Sequence, residues 1–144
     1  MDILVLAQAK VNPTEDESKV NRALVNMFPS STVNQRAIDD GATLLTIHGS
    51  GLEFLSKLRD LIRQERIRSA ARSILIRSSR GGRIRFCVNK QAAFVGKVSF
   101  CEAEGESPLG PISIEIESSD PKVVLDYLAP SLNQLMRRQA HRET

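Results

Sequence analysis

The sequence is poor in aromatic residues. It has no tryptophan, one tyrosine and five phenylalanines, and aromatic residues make up 4% of the chain. Sheet-type RNA-binding domains stack bases on several exposed aromatic side chains. Phe86 and Phe100 fall on the apolar sides of predicted strands, so few rings remain for stacking. The composition therefore argues against recognition of single strands by stacking.

Cysteine and histidine are also scarce, with two residues of each. Cys87 and Cys101 are too few for a disulfide framework and lack metal-ligand spacing, so we interpret them as strand residues rather than as a redox pair. His48 and His141 have no acid or cysteine partner at the spacing of a metal site or a catalytic triad. The sequence also lacks a phosphate-binding loop, and we therefore predict no enzyme, cofactor or small-molecule substrate.

No long hydrophobic segment is present. The longest uncharged stretch, residues 23–35, is shorter than the roughly 20 apolar residues that a membrane-spanning helix needs. Asp2 and the lack of a basic region before the first apolar stretch argue against a signal peptide. We expect a cytoplasmic protein without membrane contact. The 144 residues fit a single domain, 1–144, with a frayed tail from about residue 137.

Charge is distributed unevenly along the chain. Residues 57–90 hold eleven of the 20 basic residues against two acids, a net charge of +9, whereas the rest of the chain carries −6. Nine of these eleven residues are arginines. A concentrated basic stripe is typical of a protein that binds a polyanion, although arginine suits carboxylates as well as phosphates. The basic block therefore indicates either RNA binding or ion pairing within or between proteins.

Hydrophobic periodicity predicts the element order β-α-β-β-α-α-β-β-β-α. The predicted strands are residues 3–11, 32–38, 43–48, 83–88, 98–101 and 112–117. Strands joined by hairpins and mixed with helices indicate an α+β protein. We expect two layers, with a largely antiparallel sheet covered on one face by helices.

Local signals predict where the helices begin. Thr14 and Glu17 match a capping box at the start of the first helix. Ser50 is interpreted as the N-cap of the helical segment that follows it. Asp120 and Pro121 suit the N-cap and the first position of the last helix.

The helical segment that follows residue 51 carries two apolar stripes, which differ in direction by roughly 170° at about 100° per residue. A single straight helix cannot bury both stripes against one sheet. We therefore predict two helices with a break near residues 64–66, and we expect Gly81 and Gly82 to end the second helix.

Two stretches resemble the signatures of an archaea-specific family of small uncharacterised proteins, which are labelled RNA-binding domain or exosome-subunit-like. The first covers residues 12–16 and 20–29, and the second covers residues 86–100 and 109–112. The resemblance implies a fold similar to the fifth ribosomal large-subunit protein and to RNA-recognition domains. It also implies a homodimer, and it supplies no active site.

Two functions remain open. In the first, the protein is a non-catalytic homodimeric interaction module whose arginines pair with acids such as Glu115 and Glu117. The dimer would use either the first strand, residues 3–11, or the open face of the sheet. In the alternative, the basic block contacts the phosphates of structured RNA, or of a ribonucleoprotein. The candidate RNA-binding residues are Arg77, Arg80, Arg83, Arg85, Asn89, Lys90 and Gln91, of which Asn89 and Gln91 are expected in a hairpin.

Overall fold

The computed structural model describes residues 2–29, 31–101 and 110–136. Its strands are β1 (Ile3–Val11), β2 (Asn34–Ala37), β3 (Thr43–Ser50), β4 (Ser79–Arg80), β5 (Arg83–Val88), β6 (Phe100–Cys101) and β7 (Ile112–Ser118). Its helices are α1 (Glu17–Met27), α2 (Ser56–Gln64), α3 (Arg68–Arg77), α4 (Lys90–Phe94) and α5 (Pro121–Leu128), and a short 3₁₀ helix (Leu52–Leu55) precedes α2. Residues 132–136 are also helical.

The seven strands form one antiparallel sheet in the order β2-β3-β1-β7-β5-β4, and β6 pairs with β5. Alternate side chains of β1, β5 and β7 are buried in a single hydrophobic core with residues of the helices. The intervening side chains line the opposite face, which we call the open face. The prediction of an α+β fold with a largely antiparallel sheet is confirmed.

β1 lies in the interior of the sheet. It pairs with β3 along one side, where Leu6 lies opposite His48, and with β7 along the other, where Leu6 lies opposite Glu115. Both of its backbone edges are therefore occupied. A dimer through strand 3–11, one of the two surfaces expected from the sequence, therefore cannot form by pairing of its backbone edges, and only its open-face side chains remain for such a contact.

The break between α2 and α3 is confirmed, and its geometry explains it. The Arg66 N–H donates to the Arg63 carbonyl at 3.2 Å, and the Ile67 N–H donates to the Ile62 carbonyl at 3.4 Å. This is the hydrogen-bond pattern of a Schellman motif, in which the residue after the C-cap is left-handed. Arg66 occupies that position with a φ of 56°, where glycine is the usual residue.

The glycine pair has a different role from the one predicted. α3 ends at Arg77, and Gly81 and Gly82 form the two-residue turn between β4 and β5. Their φ values of 57° and 80° fit the type I′ turn that joins tightly paired strands. The turn places Arg80 directly opposite Arg83, so both side chains project from the same face of the sheet.

Two of the three predicted helix starts are wrong. Asp16 caps α1 in place of Thr14, because the Asp16 carboxylate accepts from the Ser18 N–H at 2.9 Å. Ser50 lies within β3, and Gly51 precedes the 3₁₀ helix. Asp120 is confirmed as the N-cap of α5, with Pro121 in its first turn.

α4 was not predicted, and it lies where a hairpin was expected. It packs on α1, and the Asn26 side-chain amide donates to the Ala93 and Phe94 carbonyls at 2.9 and 3.0 Å.

Within the described ranges, no helix is long and apolar enough to cross a bilayer. The predicted frayed tail, residues 137–144, lies outside those ranges.

Candidate nucleic-acid interface

Arg83 and Arg85 project from β5 onto the open face, where β7 supplies two acids. Arg83 Nε lies 3.0 Å from Glu117 Oε1, and Arg85 Nε lies 3.3 Å from Glu115 Oε1. Arg83 Nη1 also approaches Glu115 Oε1 at 3.7 Å. The pairing follows from the register, because each arginine lies directly opposite one of these glutamates. Both arginine side chains remain more than half exposed, so each pair stabilises the fold by only about 0–1 kcal/mol.

The next three candidates, at positions 89–91, surround the start of α4. The Asn89 side-chain oxygen accepts from the Ala92 N–H at 2.9 Å, so it caps the helix. Gln91 is exposed on the first turn. Lys90 is buried, with 7% of its side chain accessible. The assignments of Asn89 as a hairpin residue and of Lys90 as a surface phosphate contact are therefore corrected.

The Lys90 charge is satisfied inside the protein. Its Nζ donates to Glu15 Oε1 at 2.9 Å and to Oε2 at 3.2 Å, and it also donates to the Lys10 carbonyl. The backbone and side-chain amides of Asn12 donate to Glu15 as well, at 2.9 and 2.7 Å. Burial raises the pKa of Glu15, but the hydrogen bonds from Asn12 and Lys90 outweigh it, so the pKa lies below its usual value.

The remaining candidates, Arg77 and Arg80, are exposed. Arg77 Nε donates to the Ser73 carbonyl at 3.4 Å, and Arg80 lies at the edge of the sheet beside the glycine turn. Neither residue forms an ion pair with an acid of the described ranges.

The structure divides the basic block of residues 57–90 into two groups. Five members form ion pairs, namely Arg59, Arg72, Arg83, Arg85 and Lys90. The other six form no ion pair with an acid of the described ranges, namely Lys57, Arg63, Arg66, Arg68, Arg77 and Arg80.

Three members of the unpaired group meet where α2 ends and α3 begins. We call this cluster, Arg63, Arg66 and Arg68, the arginine turn. Arg63 and Arg66 are exposed, and Arg68 is half-buried. The sequence-based list of candidates missed this cluster. The predicted helix break could have indicated the cluster, because a break within an arginine-rich stretch places the arginines on its two sides at one tight turn.

The aromatic side chains are on the core side of the sheet or against helices. All six aromatic residues of the chain lie in the described ranges. Phe28 stacks on Phe54 with their ring centroids 5.1 Å apart, and Phe86 contacts Phe100 with their centroids 5.6 Å apart. The Arg59 guanidinium lies 4.8 Å above the Tyr127 ring, and Phe94 is half-buried on α4. The open face therefore has no aromatic platform for bases.

The histidines and the possible metal ligands can be located in the described residues. Within them, no three histidine, cysteine, aspartate or glutamate side chains are placed to hold a metal ion. His48 is exposed on β3, opposite Leu6 in the sheet. His141 lies outside the described ranges. What the geometry offers is a surface of arginines whose chemistry suits phosphate or carboxylate groups.

Comparison with known proteins identifies the family of this chain. A family model described as RNA binding matches residues 5–118, from β1 to the end of β7. The fold and the family model therefore place the chain in a class of small α+β proteins described as RNA binding. A UPF0201 protein from Sulfolobus acidocaldarius is 42% identical over 127 residues, which cover 88% of this chain and 86% of that protein. The chain belongs to this UPF0201 family of archaeal proteins, and the resemblance seen in the sequence is confirmed.

Further relatives and solved structures support the same family and fold. A UPF0201 protein from Pyrobaculum neutrophilum is 44% identical over 127 residues and covers 88% of each chain. The crystal structure of a UPF0201 protein from Methanococcus jannaschii superposes with a TM-score of 0.79 at 30% identity, over 89% of this chain and 93% of that one. A DUF54 protein from Methanothermobacter thermautotrophicus shares the fold, with a TM-score of 0.59 at 20% identity over 89% of this chain and 99% of that one.

Proposed function

We propose that the protein is a non-catalytic RNA-binding protein that holds the phosphates of structured RNA. The arginine turn supplies the central contacts, and Arg77 and Arg80 supply further ones. The observation that carries this proposal is that these arginines form no ion pair with an acid of the described ranges, whereas Arg83 and Arg85 do. A guanidinium without a carboxylate partner can bind phosphate without first giving up an ion pair. The family description as RNA binding supports the same function.

Structured RNA is favoured over single strands because of the aromatic residues. Proteins that bind single strands combine a basic groove with aromatic side chains on which bases stack. Here the rings pack against one another, against helices or beneath Arg59. Phosphate contacts alone position an RNA without reading its sequence, so we expect binding that depends on shape and salt concentration.

A titration with two matched double variants tests this proposal. Arg63→Ala/Arg66→Ala removes two positive charges from the arginine turn, and Arg83→Ala/Arg85→Ala removes two from the paired arginines of the open face. Binding of a fluorescent hairpin RNA is measured at several salt concentrations, with thermal melts of each protein. For the first variant we expect weaker binding and a log–log salt slope lower by roughly 0.7–0.9 per lost contact. For the second variant we expect nearly unchanged RNA binding and a small loss of stability.

Two results would contradict the proposal. If only the Arg83→Ala/Arg85→Ala variant binds weakly, the RNA contacts the paired arginines of β5 and not the arginine turn. If the wild-type protein binds RNA no better than an unrelated basic protein of similar charge, RNA binding is not its function.

A second candidate function is a homodimeric interaction module, and Leu4 is the observation that favours it. Leu4 lies on the open face of β1, opposite Ser50 on one side and Glu117 on the other, and it is 54% exposed. Leu6 follows on the same face. An exposed apolar side chain in the interior of a sheet, beside a ladder of ion pairs, suits contact with the same face of a second copy.

Light scattering of the wild-type protein and of two variants, Leu4→Ser and Val95→Ser, tests this second candidate. A homodimer has twice the chain mass of 15.9 kDa. Leu4→Ser should convert it to the monomer. Val95→Ser removes an even more exposed apolar side chain, just after α4, and should leave the dimer intact. A wild-type mass of one chain at micromolar concentration would exclude the dimer.

A further inference from the structure

Cys87 and Cys101 lie side by side in the sheet. Cys87 in β5 and Cys101 in β6 are direct cross-strand partners, and both are half-buried thiols. The sequence pattern placed both cysteines on strands and favoured that role over a redox pair, and the register now makes them direct neighbours. Direct partners in an antiparallel pair have Cα atoms about 4.5 or 5.5 Å apart, and both distances fall within the 4.4–6.8 Å range found across disulfides.

Both thiols project from the open face. Ile84, Phe86 and Val88 point into the core, so Cys87 points the other way, and its cross-strand partner shares that direction. Cys87 Sγ lies 3.9 Å from the hydroxyl oxygen of Ser113. Cys87 also lines an open cavity on this face together with Gln8, Arg85 and Glu115. A small reagent in solvent can therefore reach the thiol.

We propose that Cys87 and Cys101 are a reversible dithiol–disulfide pair, oxidised by low-molecular-weight disulfides. One cysteine thiolate attacks a sulfur of the small disulfide, which forms a mixed disulfide and releases one small thiol. The second cysteine thiolate then attacks the protein sulfur of the mixed disulfide and displaces the other small thiol. The two protein thiols lose two electrons and two protons, and both are carried away on the two small thiols.

A disulfide between Cys87 and Cys101 would link β6 covalently to β5, to which it is joined by few backbone pairs. β6 has two residues and pairs with β5 through two residue pairs. The loop closed by the bond includes α4 and Lys90, and Lys90 forms an ion pair with Glu15 just before α1. Oxidation should therefore stabilise both β6 and α4, because a crosslink restricts the unfolded chain.

Mass spectrometry of the full chain in glutathione buffers tests this pair. Samples are equilibrated at several ratios of reduced to oxidised glutathione, their remaining thiols are alkylated, and intact masses are measured. We expect the wild-type protein to lose both alkylation sites together, without a glutathione adduct, and to regain them with dithiothreitol. The oxidised form should melt several degrees higher than the reduced form.

Two serine variants serve as controls. Cys101→Ser leaves Cys87 without its resolving thiol, and Cys87→Ser does the reverse, so each variant should stop at the glutathione mixed disulfide and show no crosslink-dependent rise in melting temperature. The proposal is overturned if the wild-type protein keeps both thiols at every ratio, if it stops at a mixed disulfide, or if it forms disulfide-linked dimers on a non-reducing gel.

Discussion

Lys90 and Glu15 lie 75 positions apart in the sequence and form a buried ion pair, with Lys90 Nζ 2.9 Å from Glu15 Oε1. The pair joins the start of α4 to the segment that leads into α1. Asn12 also donates to the Glu15 carboxylate, and Lys90 also donates to the Lys10 carbonyl. Both charges of the pair therefore have several partners. The pair therefore positions α4, and removing either charge leaves the other buried without its counter-charge.

We predict that Glu15→Gln lowers the free energy of unfolding by about 3–5 kcal/mol, because breaking one half of a buried ion pair leaves an uncompensated charge. The double variant Glu15→Gln/Lys90→Met should lose less than the sum of the two single variants. Urea denaturation at neutral pH measures all three. Glu17→Gln removes the same charge from an exposed position on α1 and should change stability by less than about 0.5 kcal/mol. An equal effect of the two glutamine variants would contradict the role of the pair.

The stability that Glu15 contributes should depend on pH. Its pKa is lowered in the folded state, so its contribution is complete above the unfolded pKa of about 4.3 and is lost as the pH falls through the lower folded value. The difference in unfolding free energy between the wild-type protein and Glu15→Gln should therefore be largest near pH 7 and shrink below about pH 4. The pKa of Asp126 is also lowered, since hydrogen bonds from Gln134 and Arg72 outweigh its burial, but this effect is present in both proteins and cancels. A constant difference from pH 7 to pH 3 would contradict this assignment.

Arg66→Gly should stabilise the protein by about 1 kcal/mol, because a side chain in the left-handed region is strained and glycine is not. Arg66→Ala removes the same charge but retains a Cβ, so it should give no such gain. Both variants should weaken RNA binding to a similar degree, because each removes one cation from the arginine turn. Thermal melts and RNA titrations of the two proteins separate backbone strain from charge. A destabilised Arg66→Gly variant would contradict the strain at this position.

We predict that the protein does not cleave RNA. The sequence has no motif for a nucleophile and its base, and the described residues hold no cluster of metal-ligating side chains. Labelled hairpin RNA should therefore remain intact after incubation with the pure protein and Mg²⁺ or Mn²⁺. Metal-dependent cleavage that a single acid-to-alanine substitution abolishes would show that the protein has an active site, contrary to this prediction.

The sequence predicted best those elements whose burial repeats at a regular interval. The strands at 83–88 and 112–117 alternate residue by residue between core and open face, so the pattern and the structure agree closely. The break in the helical segment was predicted for the same reason, because two apolar stripes in different directions cannot share one straight helix.

Features that depend on contacts between distant segments were not predicted. α4 has five residues, too few to form a stable helix in isolation, and Asn26 of α1 holds its last carbonyls. The burial of Lys90 depends on Glu15, which local periodicity cannot reveal. The N-cap of α1 was wrongly assigned to Thr14 for a related reason. Lys90 and Asn12 both donate hydrogen bonds to Glu15, which therefore lies before the helix. The helix begins at Glu17, and Asp16 is its N-cap.

The interior position of β1 has a consequence for biosynthesis. β1 leaves the ribosome before both of its neighbours in the sheet, and one of them, β7, begins only at Ile112. Until that late segment is made, the nascent chain presents an apolar strand with an unpaired edge, which is a template for aggregation. Sheet completion by such distant segments also slows folding. The order of synthesis therefore leaves one edge of β1 without its native partner until the β7 segment has been made.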